Sequence, residues 1–386
     1  MCWLKRGDSK VARHYAVIDA DAHVLEPGDL WSNYLEDKFK EKAPHLVTLP
    51  DGREVFRVDD FATVDVGKST ASAFAYSGGI GMREGNGPKG TSYYDGAPGG
   101  FDPHQRIPHM DAEGIDAAFL YPTLALFNGG IRDGAMATAA CRAYNRWLAD
   151  YCSLYPDRLF GVAMLPMQSV EDAVAEIEFA ANTLGFRGGF LRPNPYLNRP
   201  LHHQDNYPVW AAAEAHDFSI GLHANSSKVG MEILGENRFT EGFAVKHCTF
   251  HVFEMMAAVA SFVMCGICER YPRLRVGFLE SSGGWVSGFI DRMDRHYDDK
   301  GMNDMQLSAR PSDIFKRQCF IAFEPVEKTL ALVAEHVGRT NVLWASDYPH
   351  GDGFTDAPGL IRKLGMPPDL EKDVFAAGAK RFYKMG

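Results

Sequence analysis

The segment YAVIDADAH, residues 15–23, indicates both how this chain folds and where its chemistry lies. Its first residues favour extended structure, and they lead into Asp21 and His23, which are two positions apart. Side chains two apart on a strand point to the same face. The segment therefore predicts a buried strand that ends with a carboxylate and an imidazole directed at one place.

Seven further segments repeat this design, because each is apolar and each ends in polar residues. They are AAFLYPT (117–123), FGVAMLP (160–166), GGFLRPN (188–194), FSIGLHAN (218–225), LRVGFLESS (274–282), CFIAFEP (319–325) and VLWASDYPH (342–350). Near-continuous apolar runs are typical of strands that are buried on both faces, as in parallel sheets. Together the segments predict a parallel sheet of eight strands.

Helical patterns occupy most of the gaps between these strands. They cover residues 132–156, 169–185, 203–217, 251–271, 311–318 and 327–338. Strands that alternate with helices in this way predict an α/β fold of the (β/α)₈, or TIM, barrel type. A doubly wound open sheet is the alternative, and it is disfavoured because no glycine-rich phosphate-binding turn follows the first strand.

Residues 24–116 form a long insertion between the first and second predicted strands. Long segments inside a compact domain usually have a function. Because this one leaves the carboxyl end of the first strand, we interpret it as a lid over the mouth of a single barrel domain spanning residues 1–386. An oligomer contact is an equally open alternative. The aromatic residues that suggest a bulky, mostly apolar substrate group are Phe74, Tyr76, Tyr93, Tyr94 and Phe101.

The composition restricts the partners of the protein. The chain of 386 residues has a formal net charge of −10 and no cluster of basic residues, so nucleic acid is not an expected partner. The first residues lack the apolar core of a signal peptide, and we see no run that approaches the length of a membrane span. We therefore expect a cytoplasmic protein with a small-molecule substrate and no membrane partner.

Polar side chains stand at the carboxyl ends of the predicted strands, which meet in one ring in a barrel. They are Asp21, His23, Arg192, Asn194, His223, Asn225, Glu280, Ser281, Glu324, Asp347 and His350. Imidazoles and carboxylates that converge without a cation would lose hydration, and the carboxylates would repel each other. The set therefore predicts a divalent metal ion, with iron or zinc expected first and manganese as an alternative.

Four motifs resemble those of the amidohydrolase-related family. They are DADAH (19–23), GLHAN (221–225), YPRLRVGFLESSGGWV (271–286) and LWASDYPHGD (343–352). This family is a branch of the amidohydrolase superfamily that contains aminocarboxymuconate semialdehyde decarboxylase, aromatic-acid decarboxylases and many hydrolases. The resemblance covers about residues 15–385, and it implies a metal-bearing (β/α)₈ barrel that forms a homodimer.

The resemblance also implies which residues bind the metal ion, namely Asp21, His23, His223 and Asp347. Two positions depart from the family pattern. Many members have histidine where this chain has Asp21, and the decarboxylases have a catalytic histidine where this chain has Glu280. We interpret Glu280 as a catalytic residue or as a ligand of a second metal ion, with a structural carboxylate as the alternative.

The segment KHCTFHVFEMMAA (246–258) places two more histidines just before or at the start of the long helix after the fifth strand. We interpret His251 as a further metal ligand, which with Glu280 would complete a binuclear centre. The alternative is a structural histidine that is bonded to the backbone. His247 is interpreted as a surface residue. The sequence thus predicts one or two metal ions.

Three polar residues are predicted to contact the substrate. Arg192 either grips a substrate carboxylate or neutralises Glu280, and both interpretations stay open. Asn225 and His350 are the other candidates, and His350 orients either the substrate or the metal ligands.

These assignments predict a metal-dependent hydrolase in which a metal-activated water attacks an acyl carbon and Asp347 takes the proton. Some relatives with a similar opening motif occur in natural-product pathways, and one of them, from platensimycin-type diterpenoid biosynthesis, is a thioesterase. This resemblance makes an acyl thioester, such as a CoA ester, the first expected substrate, with amides, esters and lactones as alternatives. The competing class is a lyase that decarboxylates an aromatic or muconate-type acid without oxidation, with Glu280 as its acid or base.

Overall fold

The computed structural model describes residues 13–50, 54–59, 62–65, 93–225, 230–239, 242–351 and 353–385. Two of the aromatic residues assigned to the lid, Phe74 and Tyr76, lie outside these ranges.

Twelve strands are present in the described part of the chain. They are β1 (Ile18–His23), β2 (His45–Thr48), β3 (Glu54–Val58), β4 (Ala62–Asp65), β5 (Ala117–Tyr121), β6 (Leu159–Gly161), β7 (Ala163–Met164), β8 (Gly188–Leu191), β9 (Ser219–His223), β10 (Val276–Leu279), β11 (Cys319–Phe323) and β12 (Val342–Trp344). The strands β1, β5 and β6 pair in parallel, as do β7 to β12 in sequence order. The strands β2, β3 and β4 form a separate antiparallel sheet.

The parallel strands form one closed barrel. The strands β6 and β7 are halves of a single barrel strand that is interrupted at Val162, whose N–H donates to the carbonyl of Leu120 at 3.1 Å. At the other seam, the N–H of His23 donates to the carbonyl of Tyr348 at 2.7 Å, which joins β1 to the segment after β12. The eight predicted strands and the (β/α)₈ barrel are therefore confirmed.

Helices surround the barrel. They are α1 (Leu30–Tyr34), α2 (Pro98–Phe101), α3 (Pro103–Glu113), α4 (Gly134–Ser153), α5 (Val170–Phe179), α6 (Tyr207–Ala215), α7 (Phe243–Val259), α8 (Ile267–Arg270), α9 (Val286–Asp298), α10 (Pro311–Gln318), α11 (Leu330–Val337), α12 (Ala357–Arg362), α13 (Pro368–Lys372) and α14 (Gly378–Phe382). Wider π-turns extend α5, α7 and α13 over Ala180–Leu184, Ala260–Met264 and Asp373–Ala377. Short 3₁₀ turns cover Asp37–Lys42, Tyr93–Asp95, Leu124–Gly130, Gln204–Asn206 and Arg339–Asn341.

Local sequence determines where these helices begin and end. The carboxylate of Asp133 accepts N–H groups of the first turn of α4, and the hydroxyl of Ser169 accepts the N–H of Asp172 at the start of α5. Gly185 ends the π-turn after α5 with φ of 73°, a left-handed conformation that glycine adopts without strain. Ser169 and Gly185 thus cap the two ends of this helical segment.

The helix α7 begins earlier than predicted, at Phe243 rather than at residue 251. Within the helical segment Ala244–Arg270, the most apolar window of 18 residues has a mean hydropathy of 1.7, so by length and composition this helix could span a membrane. The expectation that no run approaches that length is therefore wrong. However, 56% of its most apolar window is buried inside the protein, as in the core helices of barrels.

The C-terminal segment completes the core. The hydroxyl of Tyr383 donates to the carbonyl of Ala20 at 2.9 Å and lies 2.7 Å from the hydroxyl of Tyr121. Its ring stacks on Phe119 with centroids 3.4 Å apart. These contacts connect the end of the last helix to β1, which carries Asp21 and His23, and to the neighbouring strand β5.

The described part of the 24–116 insertion is anchored at the carboxyl end of β5. The hydroxyl of Tyr93 donates to the carboxylate of Glu26 at 3.2 Å, and that carboxylate accepts the N–H of Thr123 at 2.9 Å. Tyr93 is buried and Phe101 is half-buried, whereas Tyr94 is 52% exposed. The role of the insertion as a lid stays a prediction.

One histidine of α3 should make the stability of the fold depend on pH. Burial, and then the charge of Arg106, lower the pKa of His109 from 6.5 to about 4, and its ring stacks on Tyr348 with centroids 4.1 Å apart. Between pH 6.5 and 4, His109 binds a proton in the unfolded chain but not in the folded chain. The free energy of unfolding therefore falls as the pH falls through this window. We expect His109→Phe to lessen that loss by about 2 kcal/mol, as measured by urea unfolding at pH 7 and pH 4.5. Equal losses in the two proteins would contradict the assignment.

Candidate metal centre

Four side chains from two barrel strands and the segment after β12 converge at the carboxyl end of the barrel. Asp21 and His23 lie at the end of β1, where the pairing with β5 shifts register. One carboxylate oxygen of Asp21 lies 3.7 Å from Nε2 of His23, and the other lies 3.8 Å from Nε2 of His223, the last residue of β9. Asp347, which follows β12, brings its Oδ1 to 3.2 Å from Nε2 of His23. The structure thus places together the four residues that the resemblance implies as metal ligands.

The hydrogen bonds of the two histidines direct the same ring nitrogen inward. Nδ1 of His23 lies 2.7 Å from the carbonyl of Pro122, and Nδ1 of His223 lies 2.9 Å from the carbonyl of Ala224. Carbonyls only accept hydrogen bonds, so each Nδ1 is assigned the proton and each Nε2 keeps its lone pair. The two Nε2 atoms lie 3.2 Å apart. Two lone pairs at this separation repel each other unless a cation lies between them.

This separation fits a shared metal ion. Bonds from a metal ion to histidine nitrogen are about 2.0–2.1 Å long, which places two such nitrogens about 3–3.4 Å apart in octahedral or tetrahedral geometry. Oδ1 of Asp21 is buried and has no hydrogen-bond partner among the described residues. A divalent ion would provide a partner for this oxygen and for both Nε2 atoms, so the donor set fits a metal ion.

The charges of the two carboxylates support the same interpretation. Burial, and then the charges of Asp347 and Asp19, raise the pKa of Asp21 well above its ordinary value. Burial also raises the pKa of Asp347, but the charges and hydrogen bonds of His350 and His23 outweigh it and hold this pKa well below its usual range. A bound cation would favour the charged form of both carboxylates.

His350 lies behind Asp347 and holds it in place. Its Nδ1 lies 2.8 Å from Oδ1 of Asp347, and its Nε2 lies 2.9 Å from the hydroxyl of Thr123. That hydroxyl donates to the carbonyl of Val24 at 2.6 Å, so it accepts from His350. His350 is therefore assigned a proton on each ring nitrogen. Thr123 was not predicted, because nothing in the segment AAFLYPT distinguishes it from a turn residue.

A second cluster lies on the other side of His223. His247, His251 and Glu280 have ligand atoms that all lie within 4.8 Å of one another. Nε2 of His247 lies 3.7 Å from one carboxylate oxygen of Glu280, and the other oxygen lies 3.1 Å from Nδ1 of His223. The prediction that His247 is a surface residue is wrong, because its side chain is 25% exposed and faces this cluster. Its spacing of four from His251 in a helix was the signal that could have found it.

Arg192 lies at the end of β8 and is fully buried. Its guanidinium donates to the backbone carbonyl of Asn225 at 3.2 Å, so Asn225 contributes its main chain to the site. Burial lowers the pKa of Arg192 to about 10, against the charges of Tyr196 and Glu254. The choice between gripping a substrate and neutralising Glu280 stays a prediction.

A cavity of ≈ 140 Å³ joins the two clusters. It is lined by Asp21, His247, Glu280, Ser282, Ala322, Phe323, Glu324, Ala345, Asp347 and Phe354. Phe323 and Phe354 are the aromatic residues among them. Glu324, another of the polar residues at the strand ends, also borders this space.

A (β/α)₈ barrel with imidazole and carboxylate ligands at its carboxyl end defines a metal-dependent enzyme of the amidohydrolase superfamily. Comparison with known sequences leads to the same class. The sequence profile of the Amidohydrolase family matches residues 18–385, and the chain belongs to this family.

The chain is similar to individual decarboxylases and to an amidohydrolase. It is 25% identical over 291 residues to gamma-resorcylate decarboxylase from Polaromonas sp. (strain JS666), which covers 73% of this chain and 87% of that protein. An amidohydrolase structure from Mycobacterium avium subsp. paratuberculosis superimposes with a TM-score of 0.78 at 22% identity, covering 96% of this chain and 100% of the other. The dihydroxybenzoic acid decarboxylase from Polaromonas sp. JS666, solved with bound manganese and 2-nitroresorcinol, gives a TM-score of 0.67 at 18% identity over 96% and 98% of the two chains. The structural similarities support the fold.

Proposed function

We propose that this protein is a metal-dependent decarboxylase that removes CO₂, without oxidation, from a small aromatic or muconate-type acid. The observation that carries the proposal is the cavity beside the four metal-binding candidates. Its volume of ≈ 140 Å³ is close to the ~150 Å³ of an apolar cavity that holds one benzene molecule, and Phe323 and Phe354 line it. It therefore suits a single ring or a compact diacid.

The relatives support the decarboxylase rather than the hydrolase that was expected first. Gamma-resorcylate decarboxylase matches most of the length of both chains, and no thioesterase is among the relatives described above. The small cavity also argues against the bulky acyl group that the insertion's aromatic residues suggested. The thioester hydrolase therefore has no support, and the sequence-based alternative is preferred.

The proposed metal site consists of Asp21, His23, His223 and Asp347. A divalent ion bound there would neutralise the substrate carboxylate and a neighbouring oxygen. Manganese is bound in the dihydroxybenzoic acid decarboxylase of similar fold, so we propose to test manganese first, with zinc and iron as alternatives. A cytoplasmic location and a homodimer also stay predictions.

Asp347 is the proposed proton donor. It borders the cavity, and because its pKa is held low it is ionised at rest, so the proton that it delivers would come from the Nδ1–H of His350, 2.8 Å away. The proton adds to the carbon that bears the substrate carboxylate. The bond between that carbon and the carboxylate then breaks, its electron pair returns to the ring, and CO₂ leaves. Glu280 lies across the cavity and is the alternative acid.

The proposal is tested by supplying Mn²⁺ to the purified protein together with a panel of carboxylic acids. The panel contains 2,6-dihydroxybenzoate, 5-carboxyvanillate, benzoate and an aliphatic acyl-CoA thioester. We expect CO₂ release, with loss of the acid's ultraviolet absorbance, from at least one hydroxylated aromatic acid. Thiol release from the thioester, with no CO₂ from any acid, would reject the decarboxylase and restore the hydrolase.

His350 should affect the reaction through Asp347. We expect His350→Gln to lower metal affinity or kcat by about 10–100-fold, the usual effect of removing a residue that orients a metal ligand. The pH profile of kcat should also change shape, because glutamine cannot pass a proton to Asp347. His336→Gln is the matched control, since His336 pairs with Asp291 on the outer helices and lies outside the three candidate clusters. An unchanged profile in the His350 variant would contradict the assigned role.

A further inference from the structure

We propose that His247, His251 and Glu280 form a second divalent-metal site beside the cavity that Asp21 and Asp347 also border. The inference concerns metal binding, so it holds or fails independently of the reaction that the protein catalyses.

The first observation is a buried nitrogen of His251. This residue is 3% exposed, and its Nδ1 lies 2.8 Å from the backbone carbonyl of Glu280, so Nδ1 carries the proton. Its Nε2 is buried and has no hydrogen-bond partner among the described residues. An imidazole with only a structural role would normally satisfy both nitrogens, because a buried polar atom without a partner costs about 1–3 kcal/mol. A metal ion would use this lone pair.

The second observation is the arrangement of the backbone around that nitrogen. His247 and His251 are four residues apart on α7, so they extend from the same face of the helix. Glu280 has a φ of 52°, a left-handed conformation that is strained for this residue type. With this turn, Glu280 contacts two residues of α7. Its backbone carbonyl accepts from Nδ1 of His251, and its carboxylate lies near Nε2 of His247. Strained backbone that aims a carboxylate at two imidazoles is typical of a functional site.

The donor set and its size also suit a metal ion. Two neutral imidazoles and one carboxylate are ligands of zinc, iron and manganese. Their atoms lie within 4.8 Å of one another, so the donors must close in by about 1 Å to reach bonding distance. Rotation of the Glu280 side chain can supply that movement.

The ring of His223 lies between the two sites. Its Nε2 faces His23 at 3.2 Å, while its Nδ1 lies 3.1 Å from the carboxylate of Glu280. The cavity nevertheless borders residues of both sites, namely Asp21 and Asp347 of the first and His247 and Glu280 of the second. A second ion would therefore place positive charge within the same substrate space.

The experiment counts manganese ions in the full-length protein. Protein stripped with a chelator is titrated with Mn²⁺, freed of excess metal by gel filtration, and analysed for manganese per chain. We expect two equivalents in the wild type and one in His251→Gln. His203→Gln is the matched control, because its side chain is 45% exposed and belongs to neither site, and it should retain two equivalents. Asp21→Asn should lose the first ion and keep the second.

A second variant and a measurement of folding distinguish the loss of a metal site from the loss of the fold. Glu280→Gln should also bind one equivalent, and thermal unfolding in chelator checks that each variant is folded. A wild type that binds one equivalent would overturn the proposal. Two equivalents of manganese in a folded His251→Gln protein would also overturn the proposal. A raised KM in that variant would then assign His251 to substrate binding. Decarboxylation is measured separately. Binding of two ions without release of CO₂ would contradict the proposed reaction and still support the second metal site.

Discussion

Replacing Asp347 with asparagine is expected to lower the rate of CO₂ release by about 10³-fold, within the range that a positioned acid or base contributes. Asparagine has almost the same volume and can still accept a hydrogen bond from His350 through its amide oxygen. It cannot hold or deliver a proton, so the loss should fall on kcat more than on KM. The measurement is steady-state kinetics on the most active acid of the panel, at saturating Mn²⁺.

A control must separate proton transfer from metal binding, because Asp347 is proposed to serve both. The manganese content of Asp347→Asn is therefore measured on the same sample, and single-turnover rates are compared at equal occupancy. Asp304→Asn is the matched surface variant, since Asp304 is exposed and far along the chain from the site strands. A metal-loaded Asp347→Asn protein with the wild-type kcat would transfer the role of proton donor to Glu280.

The barrel could be predicted from the sequence because its strands carry a strong local signal. Strands that are buried on both faces read as short apolar runs, and polar residues such as His223 mark the positions where those runs reach the barrel mouth. The same rule identified Asp21, His23 and Asp347. The barrel fold alone brings these residues together, so predicting their proximity required no detail of side-chain packing.

The second cluster was harder to predict, because its residues do not end a strand. His247 was assigned to the surface because the helix α7 was expected to begin at residue 251, and the structure begins it at Phe243. That boundary decides whether His247 shares a helix face with His251. Helix ends are weak sequence signals, and the preceding residue, Gly242, caps α7 with no side-chain hydrogen bond.

The substrate could not be deduced from residue types alone. The aromatic residues of the insertion suggested a bulky group, yet Tyr93 is buried against Glu26 and Tyr94 is largely exposed. Neither lines the cavity beside the candidate ligands. Cavity volume depends on how distant segments pack, and here it favours a small ring.

Removing His223 should abolish the stabilisation that the first metal ion provides. A ligand that binds only the folded state at 1,000 times its dissociation constant stabilises a protein by about 4 kcal/mol. We expect Mn²⁺ to stabilise the wild type by an amount of this order, because Asp21 is buried, the side chain of Asp347 is only 14% exposed, and a cation offsets the cost of their charges. In His223→Ala the first site loses an inward-facing nitrogen, and most of this gain should disappear.

The relevant quantity is the difference between metal-loaded and chelated protein, measured by chemical unfolding at several Mn²⁺ concentrations. Alanine also leaves a small cavity that lowers stability in both states, and the difference removes this contribution. His203→Ala, which alters an exposed histidine, should keep the full wild-type gain. An equal gain in His223→Ala would mean that the stabilising ion lies elsewhere. Because Nδ1 of His223 also approaches Glu280, loss of both manganese equivalents in this variant would show that the two proposed sites are coupled through this ring.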